Sequence, residues 1–168
     1  ISGGEPFAQP EFLFSVLKMC HESGISSAVE SALNIPWKNI ERSLPFIDFF
    51  IFDLKIMDPD LHQKFCGTKN NQILKNISKL AKDAKTQLLP RVPMIPGITD
   101  TYSNIEAIAV FLKQNGINYL QLIPYMKLGN IKYEQIGKNY RLKSLDSVSP
   151  DHLKEIKNIF NKLGITCK

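Results

Sequence analysis

The sequence has no closely spaced cysteine pair, no uninterrupted apolar stretch of membrane-spanning length and no block of one charge sign. Its three cysteines, Cys20, Cys66 and Cys167, are odd in number and far apart, so they signal neither a disulfide framework nor a zinc site. That usage fits a reducing cytoplasm. The three histidines (His21, His62, His152) are equally isolated, each is expected on a helix surface, and no metal site can be read from them. The missing apolar stretch argues against a transmembrane helix, and no signal peptide is visible. The net charge is +5, but the lysines interleave with acids, as in KDAK and HLKEIK. Nucleic acid needs a basic patch or stripe, so this pattern reads as a solvated surface. There is no initiating methionine either; Ile1 is read as the first residue of a cut, processed or longer polypeptide.

What is present is 168 residues, 43% of them hydrophobic, enough for a substantial core and a single domain over 1–168. Apolar and polar residues alternate between helical and strand patterns along it. Leu13, Val16, Leu17 and Cys20 fall at helical spacing between Pro10 and Ser23, with Gly24 as a stop. SSAVES is a short strand candidate, and a helix is expected from Pro36 through Trp37, Ile40 and Leu44. FIDFFIFDLK is too apolar for a half-exposed strand and reads as a buried parallel one. MDPDLHQKF predicts a short helix, followed by a longer one whose Ile73, Ile77, Leu80 and Ala84 share a face.

TQLLPRVPMIP is the next strand. Ser103 and Glu106 then read as a capping box ahead of Ile105, Ile108, Ala109 and Leu112, with Gly116 closing that helix. NYLQLIPY is read as the last strand. Residues 126–148 form an extended loop segment before a final helix, 149–164, capped by Ser149 with Pro150 in first position. This alternation predicts an α/β fold with a parallel sheet or barrel covered by helices.

Ligands of such folds sit at the carboxyl ends of the strands. Polar residues gather there: Glu5, Glu30 and Ser31, Asp53 and Lys55, Arg91, and Tyr125. Asp53 and Lys55 are two apart, so their side chains point to the same side. Acids for a positive charge and bases for a carboxylate together suit a zwitterionic amino-acid headgroup. Each residue also has a plainer reading: an ordinary turn at Gly3-Gly4, a helix-cap acid at Glu30, an ion pair at Asp53 and Lys55, backbone carbonyls around Arg91.

Taken in order, ISGGEPFAQPEF, GISSAVESALNIPW, FIFDLKIMDPDLHQKFCGTKNNQILKN, RVPMIPGITDTYSNIEAIAVFL and LIPYMKLGNIKYEQIG cover the chain to about Tyr140. This series resembles the radical S-adenosylmethionine activating enzymes of glycyl radical enzymes, of the pyruvate formate-lyase activating enzyme type. The resemblance implies a partial (β/α) barrel, truncated here to about the last four strand–helix units. It implies S-adenosylmethionine as cofactor, with a 4Fe–4S cluster that cleaves it reductively. The resulting deoxyadenosyl radical takes a hydrogen from a backbone glycine of the partner, a pyruvate formate-lyase-like glycyl radical enzyme.

Carried over by motif, Gly3, Gly4 and Glu5 resemble the loop that receives the methionine amino group, and Glu30 and Ser31 the acid–hydroxyl pair beside it. Asp53 and Lys55 match an Asp-x-Lys whose lysine meets the methionine carboxylate. The acids at the Glu30 and Asp53 positions also help some members hold a monovalent cation. Arg91 matches an arginine beside the methionyl group, and Tyr125 lies on the last barrel strand near the adenosine. Met126 stands where the family usually has histidine, and a thioether cannot donate a hydrogen bond.

The CxxxCxxC cluster loop of the family is absent, so no residue of this chain is assigned a catalytic or cluster-binding role. The resulting expectation is the C-terminal part of an activating enzyme, inactive by itself, with the cluster held only in the full-length parent. The alternative is a non-catalytic truncated remnant or a partner-docking module. An aldolase-like use of Lys55 as a Schiff-base amine is disfavoured, because Asp53 stabilises its ammonium form. A barrel lacking its first strands exposes unpaired backbone and apolar interior near Glu30, which predicts self-association through that edge.

Overall fold

The computed structural model of the chain describes residues 1–83, 85–126, 133–140 and 142–168. Five parallel strands form one sheet in simple chain order: β1 (Ala28–Glu30), β2 (Phe49–Asp53), β3 (Gln87–Met94), β4 (Tyr119–Pro124) and β5 (Thr166–Cys167). Helix α1 (Pro10–Glu22) precedes β1, and α2 (Trp37–Glu41) lies between β1 and β2. Helices α3 (Pro59–Cys66) and α4 (Asn71–Leu80) link β2 to β3, α5 (Tyr102–Gln114) links β3 to β4, and α6 (Pro150–Lys162) leads into β5. Consecutive parallel strands joined by crossovers of one hand put the helices on one face, as in a barrel wall.

Burial follows that geometry. Val29, Phe50, Phe52, Leu54, Val92, Met94, Leu120 and Leu122 are buried on the sheet's helix side. Against them pack apolar residues spaced one turn apart, such as Ile73, Ile77 and Leu80 on α4 and Ile105, Ile108 and Leu112 on α5. Phe7, in a short 3-10 turn at Pro6–Ala8, stacks on Phe50 with centroids 6.0 Å apart. The buried amide of Asn76 donates to the carbonyls of Leu33 (2.9 Å) and Ile35 (2.8 Å), fixing the chain as it leaves β1.

Several expectations are corrected here. The FIDFFIFDLK strand is not buried on both faces: Phe50 and Phe52 are buried, while Phe49 is 41% exposed and Ile51 and Asp53 are half-buried. Among the described residues no element covers that second face. Helix α2 stops at Glu41, and Leu44 belongs to a separate 3-10 turn (Leu44–Phe46). The cap of α5 is Thr101, whose hydroxyl accepts from Asn104 N–H, and Ser103 lies within the first helical turn. His62 is buried, not on a surface; its Nδ1 lies 2.6 Å from the Thr68 carbonyl.

NYLQLIPY is not the last strand, since β5 follows α6 and pairs with β4. The edge of β1 is partly satisfied, because Glu30 N–H donates to the Ile1 carbonyl at 3.0 Å. Ala84, expected on the face of α4, and residues 127–132 and 141 of the expected loop segment lie outside the described residues. The cap at Ser149 and the first-turn Pro150 are as read from the sequence, with Ser149 Oγ accepting from His152 N–H. No helix among the described residues is long and apolar enough to cross a membrane.

Candidate functional site

Strand alternation builds the site. With Phe50, Phe52 and Leu54 turned to the helices, Asp53 and Lys55 must project from the opposite face at the carboxyl end of β2. Arg91 sits directly beside Asp53 in the β2–β3 register, and Leu54 N–H donates to the Arg91 carbonyl at 2.8 Å, so pairing runs past the last strand residue. Glu30 ends β1 on the same face.

The charges meet there. Arg91 Nε donates to Asp53 Oδ1 at 3.0 Å, and its Nη2 donates to Glu30 Oε1. The second oxygen of Asp53 lies 3.5 Å from Lys55 Nζ. Burial alone would lower the Arg91 guanidinium, but its hydrogen bonds to both acids and their charges outweigh that and push it above its ordinary value. Arg91 is therefore a permanent cation clamping two carboxylates. Lys55 is the looser one, tied to a single oxygen at long range.

Opposite this row lies the glycine loop. Ser2 Oγ donates to Glu30 Oε2 at 3.3 Å. Gly3 has φ of +134°, a value that strains any residue with a side chain. A Cβ on Gly4 would meet no protein atom within 4 Å, so its backbone borders open space. An open cavity of about 180 Å³ is lined by Ser2, Gly3, Gly4, Glu30, Ser31, Ala32, Asp53 and Lys55.

The sequence-predicted residues divide into three groups. Gly3, Gly4, Glu30, Ser31, Asp53 and Lys55 line the one cavity, and Arg91 joins them through its ion pairs. Glu5 does not line that cavity and acts as a bracket behind two residues that do. Its carboxylate accepts from Ser31 Oγ (2.9 and 3.0 Å), from Ala32 N–H (3.0 Å) and from Phe7 N–H (3.1 Å). Tyr125 is apart: its hydroxyl donates to the Leu142 carbonyl at 2.9 Å and lies 3.3 Å from that of Tyr140. Met126 beside it is exposed.

Residues not singled out in the sequence also matter. Ser2 touches Glu30, and its position next to Gly3-Gly4 was the available clue. Asn70 and Asn104 hold the chain after Lys55, and nothing local in the sequence marks what their amides bind.

The fold and site together define a class: a partial α/β barrel of the radical S-adenosylmethionine type. It matches the crystal structure of a domain of pyruvate-formate lyase-activating enzyme from Bacteroides vulgatus with a TM-score of 0.83, 28% identity, and coverage of 100% of this chain and 95% of that one. No family model matches the sequence. Individual relatives do. The chain is 36% identical over 167 residues to the indoleacetate decarboxylase activating enzyme of Tractidigestivibacter scatoligenes, covering 99% of this chain and 53% of the relative. It is 38% identical over 173 residues to the (2S)-3-sulfopropanediol dehydratase activating enzyme of Klebsiella oxytoca, covering 99% and 54%. Along its whole length the chain is a homologue of the glycyl radical enzyme activating enzymes, and it spans about half the length of these relatives.

The residues present fit one of the two groups that this homology brings in. Two carboxylates, an incompletely paired ammonium and glycine backbone around open space match the methionine end of S-adenosylmethionine, with its ammonium and carboxylate. They do not fit the iron–sulfur cluster. Cys20, Cys66 and Cys167 are free and sit in α1, α3 and β5, and among the described residues no three His, Cys, Asp or Glu side chains group to hold a metal. The Arg91 guanidinium bridges Glu30 and Asp53, the two acids whose positions help some family members hold a monovalent cation.

Proposed function

We propose that this chain binds the methionine end of S-adenosylmethionine, as part of an activating enzyme that installs a radical on a glycyl radical enzyme. The cavity bounded by Gly4, Glu30, Asp53 and Lys55 carries the reading, because its lining combines carboxylate and backbone acceptors with one ammonium. Glu30, Ser31 and the carbonyls of the glycine loop receive the ligand's ammonium. Lys55 Nζ receives its carboxylate, which replaces the long contact to Asp53 with a charge-assisted hydrogen bond. Arg91 holds both acids in place. When bound, S-adenosylmethionine would supply hydrogen-abstracting radical chemistry. The contribution of these residues is to bind and orient it.

The partner in this reading is a glycyl radical enzyme, the class to which the decarboxylase and dehydratase named with the relatives belong. Titration calorimetry of the intact protein tests the ligand assignment. S-adenosylmethionine is expected to bind, and Lys55→Met to weaken it roughly tenfold, the scale of one lost charge-assisted hydrogen bond. Decarboxylated S-adenosylmethionine is expected to bind both proteins alike. Equal losses for the two ligands, or no binding by the unmodified protein, would overturn the reading.

A further inference from the structure

Beyond Leu54 the chain leaves the sheet, and strand pairing no longer fixes it. The peptide groups of the next three residues are instead held by two side-chain amides. Asn104, at the start of α5 and 8% exposed, donates through Nδ2 to the Lys55 carbonyl at 2.9 Å and to the Thr99 carbonyl at 2.8 Å. Its Oδ1 accepts from Met57 N–H at 2.8 Å. Asn70 donates to the Ile56 and Met57 carbonyls at 2.9 and 2.7 Å. Thr99 is itself pinned, since its hydroxyl accepts from Ile95 N–H at 2.7 Å and donates to the Pro93 carbonyl. One amide thus ties the backbone of Lys55 to the rigid turn that follows β3.

We infer that Asn104 is a positioning residue for the S-adenosylmethionine carboxylate, acting through Lys55. The inference rests on the ligand assignment above. The chemistry calls for an amide, because the site requires two donors and one acceptor from the same planar group. A carboxylate would set an oxygen against two carbonyls. An aliphatic residue would leave the part-buried Lys55 carbonyl and Met57 N–H without these partners. Lys55 has a long, flexible stem and only a 3.5 Å contact to Asp53, so the position of its Cα decides where the ammonium can reach.

The test is a double-mutant cycle between Asn104→Ser and Lys55→Met, read as dissociation constants for S-adenosylmethionine and its decarboxylated analogue. Asn104→Ser is expected to weaken S-adenosylmethionine roughly tenfold, the scale of one misaligned charge-assisted hydrogen bond, with the analogue unchanged. In the Lys55→Met background it is expected to add no further loss. Equal weakening of both ligands, or a full additional loss in that background, would make Asn104 merely structural and overturn the inference.

Those outcomes leave the ligand assignment standing as long as Lys55→Met alone discriminates the two ligands. If Lys55→Met does not discriminate them, the ligand assignment itself has failed. Should Asn104→Ser not fold, the unmodified protein still decides. The Asn104 side-chain NH2 and Met57 N–H resonances are expected to shift with S-adenosylmethionine and not with the analogue. Unmoved signals would overturn the inference.

Discussion

Asp53 and Arg91 stand side by side in the β2–β3 register, and their side chains share a 3.0 Å hydrogen bond across the strand ends. The same guanidinium reaches Glu30 on the strand beyond Asp53, so a single planar fork spans three strands. Asp53 consequently offers only its second oxygen to Lys55.

The fork cannot be replaced by a point charge. Arg91→Lys keeps the cation but can satisfy only one acid at a time. It is expected to cost about 1–2 kcal/mol of stability in urea unfolding, with a smaller deficit at high salt. An unchanged midpoint would mean that the two ion pairs contribute nothing net.

Burial pushes the Cys167 thiol up to about 11, against a smaller opposing pull from Lys157. The folded state therefore favours the protonated thiol. Its contribution is complete below the unfolded-state value near 9 and is lost as the pH rises from there through about 11. Cys167→Ala should accordingly lose less stability than the unmodified protein across that interval. Parallel stability–pH curves would contradict this.

Ser43 is 1% exposed, and its hydroxyl is the one buried side-chain polar atom without a hydrogen-bond partner among the described residues. Removing an unsatisfied hydroxyl removes its desolvation cost. Ser43→Ala should stabilise the protein by on the order of 1 kcal/mol. A lowered melting temperature would show that the hydroxyl has a partner in solution.

Leu33 is fully buried yet has φ of +60°, a region costly for a branched side chain. Leu33→Ala loses the packing and keeps the strain, a cost of about 2–5 kcal/mol. Leu33→Gly loses slightly more surface but relieves about 1 kcal/mol of strain. The glycine variant should therefore be no less stable than the alanine variant, the reverse of the usual order. A markedly weaker glycine variant would remove backbone strain from the account.

Much of this was legible along the chain. Helical periodicity on α4 and α5 located the core faces, since 3.6-residue spacing is imposed by local geometry. Two-residue spacing put Asp53 and Lys55 on one side of β2, and the structure agrees. The fifth strand was not legible, because two residues are too few to show a period and Cys167 gains its register only from Leu120 of β4. The cap of α5 was misread because both Thr101 and Ser103 can cap, and the choice fell to the extended backbone of Thr101.

The sequence alone determined which residues could carry charge to the strand ends and which faces had to be buried, because alternation and helical pitch are local properties. Tertiary structure decided what those charges do. It turned Glu5 into a bracket for Ser31 and Ala32, sent Tyr125 toward Leu142, and set Arg91 between two acids. It also brought Asn104 of α5 under Lys55, forty-nine residues earlier in the chain. Partners so distant meet only when the parallel register and the helix packing are both in place, and no local pattern encodes that meeting.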